Sequence, residues 1–233
     1  MENKSTGKRV LRTVSTYVLR AGRMTPAQKK AYETHSRTWC IPFANEKLDF
    51  SAMFGNNAPV VLEIGFGMKQ ATSIIAKNNP GIQYIGLEVH RAGVGRLLAD
   101  IERLELTNLR IIEHDALETL DAMIPDNSVS AFHIFFPDPW PKKKHHKRRL
   151  VQRPRTDLLV RKLSPGGYVY MVTDWEPYAE HALDELTETT GLVNKFRVYA
   201  PAQAWRPETR FEQKGKQAQR KIHELMFEKT LED

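Results

Sequence analysis

Residues 60–67, VVLEIGFG, decide the fold class, because an apolar run of strand-forming residues ends there in a loop with two glycines. Glycines at 65 and 67 allow a loop to pass close to a ligand without a Cβ in the way. A second apolar run, residues 84–87, ends at Glu88, twenty-one residues after Gly67. At this spacing, carboxylates bind ribose hydroxyls in nucleotide-binding α/β folds.

Short apolar runs and amphipathic stretches alternate along the rest of the chain. We predict further strands at 109–112, 131–136 and 168–172, and helices at 70–79, 92–104, 156–163 and 177–189. Residues Thr25 and Pro26 mark an earlier helix start, with a helical run through Tyr32. Such alternation indicates a mostly parallel sheet with helices on both faces. Residues 193–198 and 225–228 are two further candidate strands.

Composition excludes several classes of protein. The single cysteine, Cys40, excludes a disulfide framework and a cysteine-rich zinc module. The longest apolar run, residues 131–136, is interrupted by His133 and is too short for a membrane span. The N-terminus is basic without an apolar core behind it, which does not fit a secretory signal. We therefore expect a soluble, cytoplasmic protein.

The net charge of +7 is unevenly distributed. Residues 1–55 contain ten basic and four acidic side chains, and residues 142–155 contain eight basic side chains and no acidic one. Two basic segments on an acidic body are typical of a polyanion-binding surface. A solvated lysine-rich loop remains the alternative interpretation.

The acidic residues at the predicted strand ends indicate the kind of cofactor. Glu63 lies directly before the glycine loop, where its charge repels a pyrophosphate and attracts an ammonium group. S-adenosylmethionine fits this arrangement better than a dinucleotide, and a nicotinamide oxidoreductase is a distant alternative. Asp115 follows the third strand, where the segment His114–Ala116 can meet an adenine edge.

The segment FFPDPW, residues 135–140, places Asp138 between two prolines that restrict its backbone. A carboxylate at this point faces the same cleft, although an Asp beside Pro also commonly closes a turn. Trp140 and the basic run behind it combine an aromatic ring with positive charge. This combination suits an extruded base and its phosphates.

Several segments together resemble the bacterial tRNA (guanine-N7)-methyltransferases. These are LEIGFG, GLEVHRAGV, HDA, FFPDPWPKKKHHKRRLVQ, VTDW and TRFEQKG, with VLRAGRMT near the start, and the resemblance covers about residues 17–228. It implies a Rossmann-like class I S-adenosylmethionine-dependent methyltransferase fold with an antiparallel C-terminal strand. It also implies methyl transfer to N7 of guanine 46 in the tRNA variable loop, with S-adenosylhomocysteine as product. We expect a partly disordered, RNA-contacting extension at 1–55 and a methyltransferase domain at 56–233.

The resemblance also implies roles for individual residues. The cofactor site comprises Glu63, Gly65, Gly67, Glu88, Asp115 and Asp138, of which Asp138 is also catalytic. The substrate-contacting positions are Lys142, Asp174, Thr209, Arg210, Phe211 and Glu212. The RNA-contact loop comprises Lys144, His145, His146, Lys147, Arg148 and Arg149. The chain departs from the family pattern at Lys69, where the family usually has a third glycine.

Other residues have structural interpretations. We expect Trp175 and Trp205 to be packing residues and His133 to be a buried histidine with a hydrogen-bond partner. Without the resemblance, we would interpret Asp174 and Glu212 as ordinary acidic residues of the protein surface.

We assign no metal, and the expected partner is tRNA, with no membrane and no obligate protein partner. The alternatives are an S-adenosylmethionine methyltransferase acting on another RNA and a non-catalytic RNA-binding module with a degenerate cofactor pocket.

Overall fold

The computed structural model describes residues 14–18, 22–68, 71–208, 212–213, 217 and 219–231. Within them, one sheet contains the strands β1 Val60–Ile64, β2 Gln83–Leu87, β3 Leu109–Ile112, β4 Val129–Phe135, β5 Leu163–Thr173, β6 Leu192–Asn194 and β7 His223–Lys229. The α-helices are α1 Pro26–Trp39, α2 Phe50–Phe54, α3 Ala71–Asn78, α4 Arg91–Leu104, α5 Ala116–Ala122, α6 Arg155–Lys162 and α7 Glu176–Thr187. A 3₁₀ helix covers Lys143–Arg148.

The strand order is β3-β2-β1-β4-β5-β7-β6, and β1 to β5 pair in parallel. Strand β7 runs antiparallel to both of its neighbours, β5 and β6. The predicted mostly parallel sheet with an antiparallel C-terminal strand is thus confirmed. Strands β2 and β3 lie on one side of β1, whereas β4 and β5 lie on the other, so the strand order changes direction at β1. Open α/β sheets bind ligands at such a point, outside the carboxyl ends of their strands.

Helices cover both faces of the sheet because the parallel strands are apolar on both sides. All five residues of β1 are buried, and alternate ones contribute to separate hydrophobic clusters. One cluster joins Val61 to residues of α1, α3 and α4, and the other joins Leu62 to residues of α5, α6 and α7. The sheet is therefore the middle layer of three.

The first helix is part of this packed unit. Thr25 and Gln28 form a reciprocal capping box at its start, which confirms the predicted helix start, but α1 continues to Trp39. Directly after it, Ile41 donates its backbone N–H to the carbonyl of Ile111 in β3, over 2.8 Å. Helix α1 and the residues directly after it are therefore packed against the sheet unit.

Two helices were not expected from the sequence. Helices α2 and α5 have five and seven residues, too few for a helical periodicity to be recognised. Each is capped by the aspartate before it, Asp49 and Asp115. Strand β6 ends earlier than predicted because the Asn194 side chain accepts the N–H of Phe196 and turns the chain.

Among the described residues, none of the helices combines the length and apolar character needed to cross a lipid bilayer. The same part of the chain contains no group of three or more His, Cys, Asp or Glu residues that could hold a metal ion.

Candidate active site

A cavity of about 460 Å³ opens at the carboxyl edge of the sheet. Its walls come from the loops that follow β1, β2, β4 and β5, so it brings together Gly65, Gly67, Glu88, Asp138 and Asp174. The early segment of the chain, at residues 16 and 17, also contributes to the wall. A volume of this size accommodates a nucleotide-sized ligand.

The glycine loop after β1 has a conformation that other residues rarely adopt. Gly65 has a φ of +74° and Gly67 a φ of +59°. The N–H of Gly65 donates to the carbonyl of Leu87 at the end of β2, over 2.8 Å. A Cβ built on Gly65 would meet nothing within 4 Å, so the glycine serves the backbone conformation and leaves open space beside it.

Glu88, at the end of β2, is buried and organises the surrounding backbone. Its Oε2 accepts the N–H of Gly67 over 2.8 Å, and its Oε1 accepts the N–H groups of Val89 and His90 over 2.7 and 2.9 Å. A carboxylate offers about four lone-pair directions, so these three bonds leave acceptor capacity for one more donor. Glu88 therefore shapes the glycine loop in addition to lining the cavity.

The loop after β3 contributes His114 to the cavity wall. The His114 ring stacks on the exposed ring of Phe43, with centroids 3.8 Å apart. The Asp115 carboxylate accepts the N–H of Glu118 over 2.9 Å and thereby caps α5. Burial and, after it, the charge of Asp115 raise the pKa of Tyr17, which places this carboxylate close to the early segment.

Glu63 lies elsewhere than the sequence suggests. It is buried inside β1, in register with Gly86 of β2 and His133 of β4, and the cavity wall does not include it among the described residues. Its charge is thus behind the glycine loop rather than at the cavity surface.

The segment from Phe136 to Trp140 is held in an unusual conformation. Phe136 and Trp140 have φ values of +52° and +47°, which are uncommon for residues with a Cβ. The Phe136 N–H donates to Val172 over 2.7 Å, and the Trp140 indole donates to the Thr16 carbonyl over 3.2 Å. Strained residues at both ends of a Pro-Asp-Pro unit fix the backbone of the exposed Asp138 beside the cavity.

The loop after β5 supplies Asp174 and Trp175 to the cavity wall. The Asp174 side chain is only 11% exposed, and its Oδ2 lies 2.8 Å from Nη1 of Arg220. Trp175, predicted as a packing residue, is partly exposed and lines the cavity. The other one, Trp205, packs as predicted, because it stacks on His133 with centroids 4.7 Å apart.

Glu212 is a buried residue and not a surface acid. Its two oxygens accept from the Arg206 guanidinium over 2.5 and 3.0 Å. The same guanidinium binds Glu224 over 2.6 Å and the Tyr170 hydroxyl over 3.2 Å. These four side chains form a buried network that holds Glu212 against β5 and β7.

The basic run is exposed beside the cavity. Lys142, Lys143, Lys144 and Lys147 are exposed, and the 3₁₀ helix orders the backbone between them. Burial, and after it the charge of Lys144, lowers the pKa of His145 from its ordinary value. The ring of Trp140 lies under this helix, with the Arg148 guanidinium 5.1 Å from its centroid.

Arg149 differs from the other cations of the predicted RNA-contact loop, because it is only 2% exposed. Its guanidinium donates to the Pro139 carbonyl over 3.0 Å and lies 4.9 Å from the centre of the Tyr178 ring. Burial lowers its pKa from the ordinary value. Arg149 therefore supports the loop from inside and does not present its charge to a ligand.

Arg155 is a second internal support that sequence analysis missed. Its guanidinium donates to the carbonyls of Arg149, Lys147 and Val14, the last two over 2.9 Å. It thus ties the basic run to the early segment of the chain. The contact of Arg155 with Val14 has no local sequence signal, because the two residues are 141 positions apart. Lys69 and the predicted substrate positions Thr209, Arg210 and Phe211 lie outside the described residues.

Solved structures with the same fold are methyltransferases. A 16S ribosomal RNA methyltransferase, KamB, superposes with a TM-score of 0.57 at 15% identity, over 79% of this chain and 95% of its own. The antibiotic-resistance methyltransferase Kmr gives 0.55 at 14% identity, over 79% and 93%. At these identities the likeness shows the fold alone, which is that of class I S-adenosylmethionine-dependent methyltransferases.

Sequence comparisons are more specific. Residues 57–225 match a family model described as "Putative methyltransferase". The tRNA (guanine-N(7)-)-methyltransferase of Treponema pallidum (strain Nichols) is 47% identical over 94% of this chain and 97% of the relative. Those of Nitrosospira multiformis and Psychromonas ingrahamii are 44% and 47% identical, each over 94% of this chain and over 95% and 90% of the relative. Since such identity extends over nearly the whole length of each chain, this protein belongs to the family of bacterial tRNA (guanine-N7)-methyltransferases.

Proposed function

We propose that this protein transfers the methyl group of S-adenosylmethionine to N7 of guanine 46 in the variable loop of tRNA. One observation carries the proposal: Pro139 and Leu150, which lie on either side of the exposed basic run in the sequence, both line the cavity that also contains Glu88 and Asp138. A small-ligand site and a polyanion site are thus adjacent. The names of the relatives support guanine N7 as the target, and the sequence resemblance supports position 46.

The residues present fit the proposed cofactor. The space beside Gly65 is open, and the Glu88 carboxylate retains acceptor capacity for a ribose hydroxyl. We propose that Gly65 and Gly67 line the cofactor, that Asp115 and its loop meet the adenine, and that Glu63 contributes negative charge behind the loop. When bound, S-adenosylmethionine supplies a methyl group activated by its sulfonium.

The chain's own task in the reaction is alignment and charge stabilisation. Guanine N7 already carries a lone pair, so no proton needs to leave it, and the protein must hold it in line with the methyl carbon. Methylation places positive charge on the purine. We assign to Asp138 the role of catalytic residue: its carboxylate stabilises that charge and accepts the N–H groups of the guanine edge. The strained residues on both sides of it fix its position in advance.

The tRNA itself is bound through its phosphates. We propose that Lys142 holds a phosphate next to the target, and that Lys144, His145, His146, Lys147 and Arg148 contact the backbone beyond it. Arg149 positions this loop. The stretch from Thr209 through Arg210 and Phe211 is proposed to contact the substrate, with Glu212 anchoring its end through Arg206. We further propose that basic residues within 1–55 add RNA contacts and that the reaction takes place in the cytoplasm.

The test is to incubate the protein with labelled S-adenosylmethionine and bulk tRNA and to map the methylated nucleoside. We expect 7-methylguanosine at position 46, no product with a transcript in which guanine 46 is replaced by adenine, and strongly reduced product with Asp138→Asn. Methylation at another atom or in another RNA would favour the enzymatic alternative. Binding of tRNA without methyl transfer would favour a non-catalytic RNA-binding protein.

A further inference from the structure

The first turn of α4 packs directly against the glycine loop. Gly93 lies in this turn, and the side of the residue that would carry a Cβ faces the backbone of Gly67. A Cβ built at position 93 would lie 2.6 Å from the carbonyl oxygen of Gly67 and 3.2 Å from its carbonyl carbon. The first distance is shorter than an ordinary contact between carbon and oxygen, so the helix or the loop would have to move. The two segments are therefore as close as a residue without a side chain allows.

The helical conformation of Gly93 does not itself require a glycine. Within a helix, glycine is less favourable than alanine because it loses more backbone freedom on folding. Gly93 is also buried, and it is not one of the described residues that line the cavity. It can therefore affect a ligand in the cavity only through a neighbour, and the neighbour that it contacts most closely is Gly67.

Gly67 is held from two sides. Its N–H donates to Oε2 of Glu88 over 2.8 Å, and its carbonyl lies against Gly93. The Cγ of Glu88 would be 3.4 Å from a Cβ at position 93, so the same turn of α4 also packs beside the Glu88 side chain. Gly67 itself lines the cavity with a φ of +59°. Its placement between Glu88 and α4 thus determines where the glycine loop passes along the cavity.

We infer that Gly93 is a positioning residue for the cofactor. Because it has no side chain, α4 can approach the Gly67 carbonyl while Glu88 binds the Gly67 N–H, and the two contacts together hold the loop in its conformation beside the cavity. This inference rests on the proposed function. It adds a residue that does not touch S-adenosylmethionine but determines how tightly the cofactor binds.

The experiment compares two substitutions in the same helix, Gly93→Ala and Gly95→Ala. Both glycines are buried, and a Cβ at either position would lie 2.6 Å from a backbone oxygen. For Gly93 this oxygen belongs to Gly67, whereas for Gly95 it belongs to Gln28 of α1, a helix that does not line the cavity. Gly95→Ala is therefore a matched control that creates the same overlap away from the glycine loop.

Calorimetry measures the dissociation constant of S-adenosylmethionine in the absence of tRNA. We expect Gly93→Ala to raise it at least about tenfold, because a displaced Gly67 loses its hydrogen bond to the Glu88 carboxylate. Gly95→Ala should remain within about threefold of wild type. Thermal unfolding should show a similar loss of stability in both variants, since the overlaps are alike.

Steady-state methylation separates positioning of the cofactor from a general structural effect. In Gly93→Ala, KM for S-adenosylmethionine should rise in proportion to the dissociation constant. At saturating cofactor, kcat should stay within about twofold of wild type, because the lost interaction affects binding rather than the transition state alone.

A double variant tests whether Gly93 acts through the contact between Gly67 and Glu88. In a Glu88→Ala background this hydrogen bond is already absent, and the loop can move away from a Cβ at position 93. Gly93→Ala should then weaken cofactor binding by less than about threefold, because two substitutions that remove the same interaction are not additive. A tenfold loss in both backgrounds would contradict this route of action.

Wild-type cofactor affinity in folded Gly93→Ala, or an equal loss of affinity in Gly95→Ala, would overturn the inference while leaving the proposed function intact. If Gly93→Ala does not fold, the close approach serves folding rather than cofactor binding, and the inference is overturned as well. If wild type does not bind S-adenosylmethionine, the proposed function fails first and the inference fails with it.

Discussion

The carboxylate-lined edge of the sheet and the basic run at residues 142–149 differ in whether their charged side chains already have partners within the protein. At the edge, Glu88 accepts three backbone N–H groups and Asp115 caps a helix. In the basic run, the ammonium groups of the exposed lysines have no carboxylate partner among the described residues. Groups that are fixed locally suit a small ligand of defined shape, whereas free exposed cations suit a large polyanion. Substitutions in the two regions should therefore affect different ligands.

The largest expected effect is on the rate of methyl transfer and comes from Asp138→Asn. The amide keeps the shape of the side chain but loses its charge, and it presents an NH₂ group to guanine donors. We expect the single-turnover rate, with both ligands saturating, to fall by at least about two decades. Binding of tRNA should persist, since phosphate contacts supply most of its affinity. S-adenosylmethionine affinity is measured in the same variant, and a nearly wild-type rate would reduce Asp138 to a turn residue.

The next effect isolates the basic run. Lys143, Lys144, Lys147 and Arg148 are changed together to glutamine, and tRNA affinity is measured against salt concentration. Each phosphate contact contributes about 0.7–0.9 to the slope of log affinity against log salt concentration. Four contacts therefore account for about two decades of the affinity that is lost between 50 and 200 mM salt, and the variant should show a correspondingly smaller slope. The affinity for S-adenosylmethionine should remain at its wild-type value. A slope equal to that of wild type would mean that the run is only a solvated surface.

A somewhat smaller effect is expected for the cofactor in Glu88→Ala. The variant loses the proposed contact to the cofactor ribose and also the acceptor that holds the Gly67 N–H. Hydrogen bonds to charged groups contribute about 1.5–3 kcal/mol, which corresponds to about one to two decades in dissociation constant. Calorimetry measures this affinity, with tRNA binding as the control. Unchanged cofactor affinity in a folded variant would remove Glu88 from the site.

The smallest effect lies outside both regions and concerns stability against pH. Burial lowers the pKa of His133 to about 3, while the unfolded chain takes up this proton near pH 6.5. His133 therefore contributes full stability above pH 6.5, and this contribution is lost as the pH falls towards 3. At pH 5 the loss is about 2 kcal/mol.

In His133→Phe, this part of the acid sensitivity should disappear. Urea unfolding of wild type and variant at pH 7 and pH 5 measures the difference in the free energy of unfolding. The Tyr168 hydroxyl of β5, which lies beside the His133 ring, does not titrate between pH 5 and pH 7, because burial raises its pKa to about 12. An identical pH dependence in both proteins would contradict the assignment, and ligand binding should be unaffected.

How much could be predicted depended on the range of the interactions involved. The strands, the glycine loop and the start of α1 were predicted, because each follows from neighbouring residues. His133 was correctly expected to be buried, with its Nε2 3.2 Å from the Tyr168 hydroxyl. The network of Arg206 could not be predicted, because two of its partners, Glu224 and Tyr170, are 18 and 36 residues away.

The basic run shows the same limit. The sequence composition groups Arg149 with the exposed cations, but its guanidinium is buried against the Tyr178 ring and the Pro139 carbonyl. A charge count cannot separate cations that meet a ligand from those that support a loop, because the difference depends on contacts with α7.

The early segment of the chain has a practical consequence for protein engineering. Val14 and Thr16 give their carbonyls to Arg155 and Trp140, and Thr16 and Tyr17 form part of the cavity wall. A deletion that reaches these residues would remove the acceptor of the Trp140 indole N–H, one of the three carbonyls that Arg155 binds, and part of the cavity wall. A truncated version of this protein should therefore retain residues 14–17.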